Sequence, residues 1–272
     1  MIMMENDRIS DFFIVAFIFS WVLWIPVAMV SAGFSFPQPL QAFLESPYNP
    51  AAFGPTLAAV LLSYRYGGRD ELLALLRKGV NYDFHRIWWP VILLFFPVLT
   101  AVALYLGVLW GDPQPYLYWT SQPLMVIMVF IYIFFLGGPL QEEFGWRGYA
   151  LPRLQRRYSP IYAALIIGFI WGLWHIPLFF IGGSIQSQVP FWSFMILIIS
   201  ASVIYTWVYN STGSILATMI IHTTGNLSYF LFPVQGTLAG GIFLMILNVA
   251  AALAVMLFAG SELKTDFGGQ GH

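Results

Sequence analysis

Six residues of this chain combine useful chemistry with an apolar setting: Glu142, Glu143, Arg147, His175, His222 and Asn226. Glu143 and Arg147 are i,i+4 with the acid on the N-terminal side, the better order for an ion pair on a helix. That pairing leaves Glu142 without a local partner. In "HTTGN" (222–226), His222 and Asn226 are also four apart, so both project from one helix face, and each can donate a hydrogen bond without permanent charge. Amide hydrolysis needs a carboxylate to take a proton from water, a group to hold that water, and donors for the developing oxyanion. Glu142, His175, His222 and Asn226 together supply that inventory. Each has a plainer reading when taken alone: a membrane histidine is often only a structural hydrogen-bonder, and i,i+4 geometry accounts fully for Glu143–Arg147. Trp146, Trp171 and Trp174 read as packing or interface anchors. Bringing four complementary groups together from three helices is harder to explain as packing.

The elements that must position these groups follow from spacing. The helix carrying the acid pair is expected to run on through "RGYALPRLQRR" and to reverse at "YSP", 158–160. Folding the chain back about Ser159 puts Glu142, 17 residues before the turn, opposite His175, 16 residues after it. At about 1.5 Å of rise per residue the two lie at similar depth on neighbouring helices. Gly137-Gly138-Pro139 and Pro177 are breaks of the kind that line protein or water rather than lipid.

Composition says what surrounds these helices. Of 272 residues, 59% are hydrophobic and only 8% charged, with a mean hydropathy of +0.77. A soluble domain carries about 25% charged residues, so lipid must be the main solvent here. With no cysteine, disulfides, thiolate metal sites and a cysteine nucleophile are excluded. Eight apolar segments of spanning length are expected, at about 11–33, 50–66, 87–110, 118–140, 160–181, 190–209, 213–232 and 238–259. They read as helices, because the runs are continuous and lipid tolerates no open sheet edge. If they alternate, all 11 basic residues fall on one side. These are Arg8, then Arg65, Arg69, Arg77, Lys78 and Arg86, then Arg147, Arg153, Arg156 and Arg157, and finally Lys264. The positive-inside rule makes that side cytoplasmic, with both termini in. The fold class expected is therefore all-α: one polytopic membrane domain over residues 1–272, a motif-bearing core at about 118–232 and a short polar tail, "SELKTDFGGQGH". In a prokaryote it would sit in the plasma or inner membrane, with its site open toward the cytoplasm.

Three motifs carry a resemblance. "EEFGWR" (142–147) fits E-E-x-x-x-R, "WGLWH" (171–175) fits F-x-x-x-H with Trp171 in place of Phe, and "HTTGN" fits H-x-x-x-N/D. In order, spacing and placement the chain resembles the CAAX-protease and bacteriocin-processing (CPBP, or Abi) family of intramembrane proteases. The resemblance implies that Glu142 is the catalytic base and holds the nucleophilic water with His175. It implies that His222 and Asn226 form the oxyanion hole, and that Glu143 and Arg147 support the site. It also implies a membrane-bound peptide or prenylated CAAX-type protein as substrate, with membrane lipid as surroundings and no nucleic acid as partner. Members are commonly labelled metalloproteases, although the resemblance favours a metal-free glutamate mechanism. Were zinc used, Glu142, His175 and His222 would match the ligand count of an open catalytic site, although no H-E-x-x-H is present.

Other classes leave different marks. Ser184 in "GGS" has no supporting feature for a serine protease, and no aspartate lies in a span. A transporter or proton relay would use intramembrane Glu and His but would show paired repeats, and the sequence has none. A haem protein with His175 and His222 as axial ligands would show haem absorbance.

Overall fold

The computed structural model describes residues 8–46 and 49–267; residues 1–7 and the end of the polar tail, 268–272, lie outside them. Among the described residues the chain is all helical, with no strand. The principal helices are α1 (Ile9–Ser31), α2 (Gly54–Lys78), α3 (Trp88–Leu109), α4 (Leu124–Leu136), α5 (Pro139–Glu143), α6 (Pro160–Trp174), α7 (Phe191–Thr212), α8 (Ile215–Leu231) and α9 (Leu238–Ala259). Between α5 and α6 the helix widens into a π-helical stretch, Phe144–Ala150, followed by a last α-turn at Leu151–Leu154.

Among the described residues, six helical segments are long and apolar enough to cross a membrane: Ile9–Ser31, Trp88–Leu109, Leu124–Leu154, Pro160–Phe180, Phe191–Thr212 and Leu238–Ala259. The chain is an integral, multi-pass membrane protein. Two of the eight expected segments depart from that standard, each for a physical reason. The run at 50–66 folds as the start of α2, whose second half carries Arg65, Arg69, Asp70, Glu71, Arg77 and Lys78. The run at 213–232 folds as α8, only 17 residues long. α8 packs against α3, α4, α5 and α7, and almost its whole length is buried. A helix surrounded by protein can carry Thr218, His222, Thr223, Thr224, Asn226 and Ser228, because its neighbours supply the partners that lipid cannot. Thr224 Oγ1, for example, donates to the Ile92 carbonyl of α3 at 2.8 Å.

Local signals set the helix ends that matter. Ser159 accepts from the Tyr162 amide and Pro160 takes the first helical position, so the chain reverses there into α6. Gly213 closes α7 in the left-handed region, φ +64°, and Ser214 immediately caps α8 through the Ala217 amide. The expected span 118–140 is cut by Pro123 and by the Gly137-Gly138-Pro139 break, leaving α4 as its helical body.

Polar contacts collect the helix ends into two groups. In one, Arg8 donates to the Tyr66 hydroxyl (3.1 Å), Arg153 pairs with Glu71, Lys78 donates to the Tyr209 hydroxyl (2.9 Å), and the Trp207 indole reaches Thr265 (2.9 Å). In the other, the Gly182 amide donates to Ser31 (3.2 Å) and the Trp119 indole to the Leu231 carbonyl (2.9 Å). Also in this group, Asp112 accepts from the amides of Ala239 (3.3 Å) and Gly240 (2.6 Å). Asp112 thus caps the first turn of α9 from a distant loop.

Candidate active site

The acid pair is set by a glycine. Gly138 has φ +116°, in the left-handed region that side chains rarely adopt, and it starts the short α5 with its amide bonded to Gln141 Oε1 (3.0 Å). A Cβ at this position would lie 2.6 Å from Glu142 Oε1 and 3.5 Å from His222 Nε2. The space beside Gly138 is therefore where Glu142 and His222 approach each other. The π-helical stretch beyond is pressed close to its neighbours: a Cβ on Gly145 would meet Pro55 at 2.5 Å, which lets α2 pack against the acid pair.

Glu143 ties two helices together. Its Oε1 accepts from Arg147 Nη1 (3.0 Å) and from His222 Nδ1 (2.8 Å), and all three side chains are buried. The i,i+4 pair read from the sequence is present, although it runs into the π-helical stretch rather than a regular α-helix. Arg147 is sandwiched between the rings of Trp171 and Tyr205, at 4.8 and 4.9 Å, a cation–π setting. With Nδ1–H given to a carboxylate, the neutral His222 ring carries its lone pair on Nε2, so donation from Nε2 requires the doubly protonated ring. This refines the neutral-donor character expected of His222.

Glu142 finds a different partner from the one expected. Its Oε2 accepts from the Trp171 indole N–H at 2.5 Å, so Trp171, one turn before His175, meets the carboxylate. His175 ends α6 and gives its Nδ1–H to the Trp171 carbonyl (2.8 Å). A carbonyl only accepts, so the ring proton is on Nδ1 and Nε2 is left as an acceptor. One turn after His222 on α8, Asn226 Nδ2 donates to the Gly137 carbonyl (3.0 Å), keeping its second N–H and its oxygen for other partners.

All four groups line one cavity of about 650 Å³. Glu142, Gly138, Trp171, His175, His222 and Asn226 line one part of it, and mostly apolar residues, chiefly of α4, α7 and α9 with Phe96 of α3 and Trp24 of α1, line the rest. The fold thus brings together Glu142, His175, His222 and Asn226 from three separate helical segments, and places Glu143 and Arg147 directly behind His222.

Comparison with known proteins gives the same direction. The family described as type II CAAX prenyl endopeptidase, Rce1-like, matches residues 122–228, the segment that contains every one of these side chains. That match supports the resemblance to the CAAX-protease and bacteriocin-processing family carried by the three motifs. It is similar to CAAX prenyl protease 2 of Methanococcus maripaludis, 24% identical over 232 residues, covering 82% of this chain and 84% of the relative. Both likenesses support a CAAX endopeptidase-like hydrolase.

Among the described residues no three His, Asp or Glu side chains lie close enough together to hold one ion. Glu142 Oε2 is taken by Trp171 and His222 Nδ1 by Glu143, and nothing in this arrangement supports the metalloprotease label. Sequence reasoning also missed the contact between Trp171 and Glu142, treating the indole as packing in place of the Phe of the motif it resembles. The available signal was that a buried indole N–H usually finds an acceptor, and Glu142 was the acid left without one.

Proposed function

We propose that the protein hydrolyses a peptide bond of a membrane-associated substrate, of the prenylated CAAX type that its relative's name indicates, by a glutamate-activated water. The convergence of Glu142, His175, His222 and Asn226 on one cavity carries this reading. The unprotonated Nε2 of His175 accepts a hydrogen bond from the water and Glu142 takes its proton. The hydroxide adds to the scissile carbonyl carbon. The oxyanion is held by the free Asn226 N–H and by His222 Nε2–H, the latter from a doubly protonated ring facing Glu143. Collapse breaks the C–N bond as Glu142 hands its proton to the leaving amine. The site works from the cytoplasmic side in a chain that crosses eight times with both termini in. Two facts favour this topology: the basic residues share one side when the spans alternate, and contacts gather the helix ends into two groups.

The test is cleavage of a quenched, farnesylated CAAX peptide by purified protein. Glu142→Gln is expected to be inactive. Asn226→Ala, which removes one oxyanion donor, should lose about 10²–10³ in rate. Normal turnover by folded, membrane-inserted Glu142→Gln would remove Glu142 from the chemistry.

A further inference from the structure

We propose that Trp171 is a positioning residue, whose indole N–H holds one oxygen of the Glu142 carboxylate so that the other is presented to the cavity beside His222. The inference rests on Glu142 being the base and adds what aims it.

Trp171 makes a directed contact with each of the groups around it. Its Nε1–H donates to Glu142 Oε2, while Glu142 Oε1 stays at the Gly138 side, where His222 Nε2 also lies. Its carbonyl takes the His175 proton, leaving the other nitrogen of that ring as an acceptor. Its ring meets the His222 ring edge-on, 5.4 Å between centroids at 77°, and lies 4.8 Å from the Arg147 guanidinium. Burial alone does not force the indole into this contact. Trp146 and Trp174 are equally buried in the same cluster, and their indole nitrogens have no hydrogen-bond partner. A phenylalanine at 171 would keep the ring contacts and lose only the donor. A carboxylate with one oxygen pinned loses rotational freedom about its last torsion, which is the freedom that misaims a general base.

Two measurements test this. In full-length protein in micelles, the ¹⁵N-indole resonance that disappears in Trp171→Phe is expected downfield, and it should move upfield in Glu142→Ala. If it does not respond to Glu142→Ala, the contact is absent and the proposal falls. In the peptide assay, Trp171→Phe should lower kcat about 10- to 100-fold, the value of a hydrogen bond to a charged group, with KM within about twofold of wild type. Replacing Trp171 with benzothienylalanine, which exchanges N–H for sulfur at nearly constant shape, should reproduce that loss even if the Phe variant folds poorly. Wild-type kcat in the benzothienyl variant overturns the proposal. An active Glu142→Gln overturns the base assignment and the proposal with it. An inactive Glu142→Gln beside a fully active benzothienyl variant sinks only the role of Trp171.

Discussion

At the scale of single residues, the site depends on what is absent at one position as much as on what is present at others. Gly138→Ala would force a side chain into the left-handed region and drive its Cβ to within 2.6 Å of Glu142 Oε1. The expected outcome is a folded protein with at least a tenfold loss of peptide cleavage, and thermal unfolding in detergent checks that it is folded. Part of this scale was legible beforehand: Glu142, Glu143, Arg147, His175, His222 and Asn226 were all singled out from residue type and spacing, and the fold gathers them in one place. The contacts they choose were not. His222 and Glu143 are 79 positions apart, so no periodicity can pair them. The carboxylate of Glu142 meets Trp171 because matching depth along two helices does not determine which turn of the second helix faces the first.

At the scale of elements, the buried Arg147–Glu143–His222 chain joins the π-helical stretch to α8. Arg147→Met keeps much of the volume but leaves Glu143 buried without its permanent cation. Breaking such a pair costs about 3–5 kcal/mol, measurable as a lowered midpoint of thermal unfolding. Arg147→Met with Glu143→Leu should cost less than the sum of the two single changes, since the stranded charge is gone. Uninterrupted apolar runs revealed their helices directly: the expected 238–259 is α9 to the residue, and 160–181 nearly matches Pro160–Phe180. Two elements were hidden for opposite reasons. The charged half of α2 continues a helix past the point where apolarity ends. The π-helical stretch has no periodicity of its own, and α2 approaches it closely at Gly145.

At the scale of the whole molecule, crossing number and orientation are open to a direct measurement, because a chain without cysteine gives a clean background for single-cysteine labelling. Cysteine placed at exposed Lys264 should react with impermeant maleimide only when the cytoplasmic side is accessible, and cysteine at exposed Gln188 only from the opposite side. Labelling of both from one side would overturn the eight-crossing arrangement. Composition alone predicted a membrane protein, whereas the shared cavity emerges only when α5, α6 and α8 pack together. One loop side chain bears on that cavity from a distance. Hydrogen bonds from the Gly240 amide and then Ala239 hold the Asp112 carboxyl below its usual 3.8, against desolvation. Its hold on α9 is therefore complete above that value and fades as pH falls through the lowered one. Asp112→Ala should show at neutral pH the lower protection against amide exchange at the start of α9 that protonation of this carboxyl would produce in the native protein. Because Leu238, Gly241 and Met245 of α9 line the cavity, this carboxylate latches one wall from outside: its loss is expected to loosen that wall while leaving Glu142, His175, His222 and Asn226 where they stand.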